Sequence, residues 1–76
     1  MSFRKNLNKL FSEPPEMRIG EIRNILANFG YAESRIRGSH HIFTKRDCDT
    51  IIVPSHNNKV RKPYIKDIKN VIINML

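Results

Sequence analysis

Apolar residues recur at helical spacing towards both ends of this chain, while the stretch between them is rich in β-branched and aromatic residues. The first firm helical segment covers residues 17–29 and stops before Gly30, a residue that readily adopts the left-handed conformation of a helix cap. The last one begins near Pro63, which suits the first position of a helix, and continues to the C-terminus. Each amphipathic helix must bury one face, so the central stretch has to provide a partner surface.

The central stretch predicts a three-stranded antiparallel sheet. The predicted strands cover residues 31–37, 40–45 and 50–53. Gly38-Ser39 and residues 46–49 supply the turns, and the near-continuous apolar run of the third strand indicates a well-buried strand. Pro54 ends that strand, and residues 55–62 are predicted to be a polar, basic loop. The sequence therefore predicts an α+β domain in the order helix, three strands, helix, with both helices on one face of the sheet.

Residues 1–16 are predicted to be an N-terminal extension to a domain that spans residues 17–76. Its apolar residues fall at helical spacing, and they are Phe3, Leu7, Leu10 and Phe11. Pro14-Pro15 then ends the short helix and forms a stiff linker. Docking on the domain, self-association and fraying are all compatible with this pattern.

Charge is the first indication of a partner. The 76 residues include 14 lysines and arginines against 7 acidic residues, giving a net charge of +7. An excess of this size favours polyanions, with nucleic acid the leading class. An anionic membrane is disfavoured because no basic amphipathic helix carries aromatic anchors. The alternative is an ordinary solvated basic surface.

Other classes are excluded by what the sequence lacks. Its single cysteine, Cys48, permits no internal disulfide and favours a reducing compartment. No apolar run reaches membrane-spanning length and no signal-peptide pattern is present, so we expect a cytoplasmic protein. No cysteine–histidine spacing or carboxylate pair predicts a metal or cofactor.

Three histidines are the candidates for proton transfer near neutral pH. His40 and His41 open the second predicted strand, and His56 follows the third one, so all three are expected near one end of the sheet. Alternation along the second strand should turn Phe43 towards the helices and His40 towards the open face. His41 then either packs as a structural histidine or escapes to the rim. A histidine pair after a turn is, however, commonly only a polar strand start.

The order of the motifs resembles that of the HicA toxin family. Arg37-Gly38-Ser39-His40-His41-Ile42-Phe43 is similar to its G-S-H-x-x-[FY] strand, and Ile52-Val53-Pro54-Ser55-His56 to its V-P-x-H strand end. The resemblance covers about residues 17–73. It implies a double-stranded-RNA-binding-domain-like fold, mRNA interferase activity without a cofactor, and neutralisation by a HicB-type antitoxin.

The resemblance also implies roles for individual residues. The catalytic histidine after the Gly-Ser pair corresponds to His40, with His41 and His56 as reserve candidates. We expect RNA contacts from the glycine–serine turn and nearby cations, namely Arg37, Gly38, Ser39, Lys45, Lys59, Arg61 and Lys62. The competing functions are a non-catalytic RNA-binding module and a protein-interaction domain with a basic face.

Overall fold

The computed structural model describes residues 2–76. The elements, in chain order, are α1 (Phe3–Phe11), β1 (Glu16–Arg18), α2 (Ile19–Asn28), β2 (Ala32–Arg37), β3 (His40–Thr44), β4 (Ile51–Pro54), β5 (Lys59–Arg61) and α3 (Lys62–Met75). Strands β2, β3 and β4 form an antiparallel sheet in that order. The predicted α+β fold, with helix, three antiparallel strands and helix, is confirmed.

One face of this sheet packs against the helices. Phe43 of β3 and Val53 of β4 are each 1% exposed and belong to the hydrophobic core. The helices contribute the aliphatic residues Ile22, Ile25 and Leu26 from α2 and Ile65, Ile68 and Ile72 from α3. Because side chains alternate along a strand, the residues next to Phe43 and Val53 point to the other face of the sheet.

The third predicted strand is less buried than its apolar composition indicated. Ile52 lies opposite Ile42 and is 56% exposed, whereas its neighbour Val53 is buried. The prediction of a well-buried strand is therefore wrong for half of its residues, because none of the helices within residues 2–76 covers the outer face of the sheet.

A second, two-stranded sheet was missed by the sequence interpretation. β1 pairs antiparallel with β5, and Met17 opposite Val60 is buried in the core. The predicted loop at residues 55–62 is thus wrong, and so is the helix start at residue 17. Asn57 and Asn58 both have positive φ, which places the chain in a two-residue turn that leads into β5. Asparagine tolerates this conformation better than most residues.

Helix α1 docks on the domain, so the docking alternative is confirmed over fraying. Leu10 is fully buried in the core, and the Phe3 ring packs edge-on against Phe29 with centroids 5.7 Å apart. The buried Asn6 donates from Nδ2 to Oδ1 of Asn24 in α2 at 2.9 Å. This bond gives the buried Asn6 amide nitrogen an acceptor and links the two helices at a fixed position.

Leu10→Ala is expected to lower the free energy of unfolding by about 2–5 kcal/mol, because it removes a fully buried side chain and leaves a cavity. Lys5→Ala, on the exposed side of the same helix, is the matched control and should change it by less than about 0.5 kcal/mol. Urea unfolding measures both. Equal effects of the two substitutions would mean that α1 does not dock in solution.

Candidate active site on the open face of the sheet

The face of the sheet that points away from the helices carries the sequence-predicted histidine. Directly opposed residues of antiparallel strands share a face, so the register defines two rows across this one. The rows are Arg37, His40 and Pro54 at the turn end, and Arg35, Ile42 and Ile52 beside them. His40 is exposed, as the alternation of the strand predicted.

An open groove of about 540 Å³, which is within the size range of small-ligand sites, lies on this face. Its lining consists of Arg37, Gly38, His40, Ile42 and Ile52. Among the described residues, neither Arg35 nor Arg37 takes part in an ion pair, so both cations remain available to an anion. The groove therefore combines the His40 imidazole, the guanidinium group of Arg37 and an apolar floor, with Arg35 next to it on the same face.

The turn before His40 depends on glycine. Gly38 has a φ of 59°, and a Cβ there would meet no atom within 4 Å, so the backbone conformation rather than space favours glycine. Gly38 and Ser39 form the two-residue connection between β2 and β3. The carbonyl of Ser39 accepts a hydrogen bond from the Ser55 N–H at 2.8 Å, which attaches this turn to the end of β4.

His41 points to the opposite face from His40, and its side chain is held on both sides. The residue is 6% exposed, so the packed alternative is confirmed over an escape to the rim. Its Nδ1 lies 2.9 Å from Oε2 of Glu33, and its Nε2 lies 2.9 Å from Oγ of Ser55. Both ring nitrogens are therefore occupied by protein groups.

Glu33 reaches His41 because of an irregularity in β2. The pairing shifts between Glu33 and Arg35, so Glu33 lies opposite Phe43 instead of opposite Thr44. A bulge of one residue inverts the facing of everything beyond it, and here it moves the Glu33 carboxylate to the helix side of the sheet.

The Glu33 carboxylate is also bound by Arg23 of α2, through Nε at 3.3 Å and Nη2 at 3.2 Å. Burial raises the pKa of Glu33, but the hydrogen bonds from His41 and Arg23 and the charge of Arg23 outweigh it. The net effect is a pKa below the ordinary value of a glutamate, so this carboxylate is ionised at neutral pH.

The remaining predicted site residues lie elsewhere. His56 is exposed and pairs with Lys59 in the turn before β5, outside the lining of the groove. Lys59 forms an ion pair with Glu16 at 3.2 Å. Lys45 follows the far end of β3, with Nζ 5.9 Å from the centre of the Tyr31 ring.

Arg61 and Lys62 are exposed where β5 meets α3. The structure thus brings Arg37, Gly38 and Ser39 together with His40, and it spreads the other predicted cations over different surfaces. Sequence reasoning did not assign Arg35 or Ile52 to this site, although strand alternation alone places them beside His40.

The described part of the chain, residues 2–76, contains no helix long and apolar enough to cross a membrane. Within the same residues, no three histidine, cysteine, aspartate or glutamate side chains come together as metal ligands would.

Comparison with known proteins adds a family to this geometry. A family model described as the HicA toxin of bacterial toxin–antitoxin systems matches residues 19–72, which include the whole groove. No curated protein and no solved structure matches the chain. The match spans well over half of the 76 residues, and it includes His40 and the end of β4. The chain therefore belongs to the HicA toxin family.

Proposed function

We propose that this toxin is a metal-independent endoribonuclease that cleaves mRNA, with His40 as the group that transfers the proton. The observation that carries this proposal is the position of His40 in an open groove beside Arg37, which makes no ion pair with any residue that the structure describes. A toxin of a toxin–antitoxin system has to act on an essential target, and a basic protein of net charge +7 attracts RNA.

In the proposed reaction, the His40 imidazole removes the proton from a ribose 2′-OH. The oxygen attacks the adjacent phosphorus and the bond to the 5′-oxygen breaks, which leaves a 2′,3′-cyclic phosphate and a 5′-hydroxyl. The imidazolium, or a water molecule that it protonates, returns the proton to the leaving oxygen. Arg35 and Arg37 stabilise the negative charge that develops on the phosphorane.

The groove also suggests how RNA is held. Ile42 and Ile52 offer an apolar surface for the face of one base, while the arginines beside them contact phosphates. The order of strands and helices is that of double-stranded-RNA-binding-like domains, but the chemistry requires a flexible nucleotide at the cleavage site. We therefore propose single-stranded mRNA as the substrate.

The partner that neutralises the toxin is an antitoxin, as the family implies. We propose a HicB-type protein that acts in the cytoplasm and covers the groove. Acidic residues would pair with Arg35 and Arg37, and apolar residues would cover Ile52, which is 56% exposed. Binding there would separate His40 from RNA.

The test is incubation of the purified protein with end-labelled RNA in the presence of EDTA. We expect cleavage products that end in a 2′,3′-cyclic phosphate. An RNA of the same sequence with a single 2′-deoxynucleotide at each cleavage position should bind equally well and resist cleavage, because the nucleophile is missing.

Two other results would contradict the proposal. Salt-sensitive RNA binding without cleavage over hours would make the protein a binding module. Weak RNA binding that does not respond to the 2′-OH would favour a protein-interaction domain.

A further inference from the structure

We infer that Glu33, His41 and Ser55 position His40 for catalysis by fixing the backbone on both sides of it. This inference rests on the proposed function, because it assigns a role within the same reaction. The three residues, together with Arg23, are called the positioning chain below. None of them borders the groove, so they act through the backbone of β3 and not on RNA.

The positioning chain crosses the domain from α2 to the turn before His40. Arg23 of α2 binds the Glu33 carboxylate, Glu33 accepts from Nδ1 of His41, and Nε2 of His41 lies 2.9 Å from Oγ of Ser55. Ser55 then bonds to the carbonyl of Ser39, through its N–H at 2.8 Å and with Oγ at 3.4 Å. Hydrogen bonds therefore link the positioning chain continuously from α2 to the turn before His40.

The protons in this chain can be assigned. The pKa of Glu33 lies below its ordinary value, so the carboxylate is ionised and accepts only; Nδ1 of His41 must therefore carry a proton. In the neutral imidazole Nε2 accepts from the Ser55 hydroxyl. In the imidazolium Nε2–H donates to Ser55 Oγ, whose hydroxyl then turns to the Ser39 carbonyl. The hydrogen bonds of the positioning chain are therefore continuous whether the His41 ring is neutral or protonated.

The positioning chain holds the two residues that flank His40, Ser39 and His41. Ser39 is held through Ser55, and His41 is held through Glu33 and Ser55. With both flanking residues fixed, the His40 imidazole can vary only by rotation of its own side chain. General-base catalysis depends on such positioning, since a displacement of about 1 Å can reduce a rate by roughly 10²-fold.

Ser55→Ala is the most selective test, because it removes one oxygen and keeps the Ser55 N–H bond to Ser39. We expect the single-turnover cleavage rate to fall roughly tenfold, with the Kd for RNA unchanged within about twofold. Ser55→Thr retains a hydroxyl and should keep the rate within about threefold of the original. Ser34→Ala is the matched control, since Oγ of Ser34 also bonds to a backbone carbonyl of this sheet, that of Ile42, at 3.2 Å.

A second measurement does not depend on cleavage. NMR of the histidine rings and of the amides of residues 38–41 should show faster exchange and greater mobility at His40 in Ser55→Ala, and no change in Ser34→Ala. If the original protein does not cleave RNA, the proposed function fails while this measurement still tests the positioning chain.

Three results would overturn the inference. The first is unchanged mobility of His40 together with unchanged cleavage in Ser55→Ala. The second is slower cleavage without a change in mobility, which would give Ser55 a direct part in the reaction. The third is an equal loss in Ser55→Ala and Ser55→Thr, because the hydroxyl would then not be the cause.

Discussion

His40→Ala should reduce the rate of RNA cleavage by about 10²–10⁴-fold, because it removes the only imidazole in the groove. Affinity for RNA should change little, since the cations that contact phosphate remain. Stability should also be retained, because His40 is exposed and the substitution leaves no buried cavity. Single-turnover cleavage of a labelled RNA, with urea unfolding of the same preparation, measures all of this.

A chemical complementation sharpens this result. Free imidazole at millimolar concentration should restore part of the activity of His40→Ala, because the groove is open to solvent. Thr44→Ala, on the same strand and face but away from the turn, is the control and should cleave normally. Full cleavage by His40→Ala would exclude His40 as the base. A comparable loss in His56→Ala would instead show that a second histidine reaches the substrate.

Phe43→Ala should lower the free energy of unfolding by about 3–5 kcal/mol, because this ring is 1% exposed at the centre of the core. A small domain has only about 5–15 kcal/mol in total, so much of the variant would unfold at moderate urea concentrations.

Ile52→Ala is the matched control for Phe43→Ala. Ile52 is also apolar and lies in the same sheet, but it is 56% exposed on the other face, so its truncation should cost less than about 1 kcal/mol. Urea unfolding of the two variants compares the faces directly. Similar losses of stability would contradict the assignment of one face to the core and the other to the groove.

The face of the sheet to which Phe43 and His40 each point could be predicted, because it follows from the alternation of side chains along a strand. Once Phe43 is taken as the core anchor, His40 must point to the open side, and the structure agrees. In the third strand, three apolar residues in succession predict burial, whereas alternation turns Ile52 to the face opposite its buried neighbour Val53. An apolar side chain at a strand position does not show that a helix covers it, as Ile52 illustrates.

The partners of His41 could not be predicted. Regular pairing would place Glu33 opposite Thr44. Its carboxylate would then lie on the open face of the sheet, whereas the His41 side chain lies on the helix face. The shift between Glu33 and Arg35 brings the carboxylate to the other side, and nothing in Glu33-Ser34-Arg35 marks such a bulge. A sheet irregularity is determined by the packing on both of its faces and not by a local signal.

The turn that leads into β5 is marked in the sequence, although the β1–β5 sheet itself was not predicted. Two consecutive asparagines, Asn57 and Asn58, are typical of a turn in which both residues have positive φ, and such a turn joins two extended segments. The strands themselves are three residues long and lie between polar residues, so periodicity does not reveal them. Their partners are also distant in sequence.

That pairing of distant segments has a consequence for the order of folding. The β2–β3 and β3–β4 hairpins pair neighbouring segments and can form early. The β1–β5 pair, which places Glu16 opposite Arg61, joins distant segments and is expected to form later. During synthesis, α1 and α2 would leave the ribosome long before β5. Helix α3, whose Ile65, Ile68 and Ile72 pack in the same core as Phe43 and Val53, follows β5 in the chain. The sheet that carries His40 should therefore complete its core only after Lys59–Arg61 has been made.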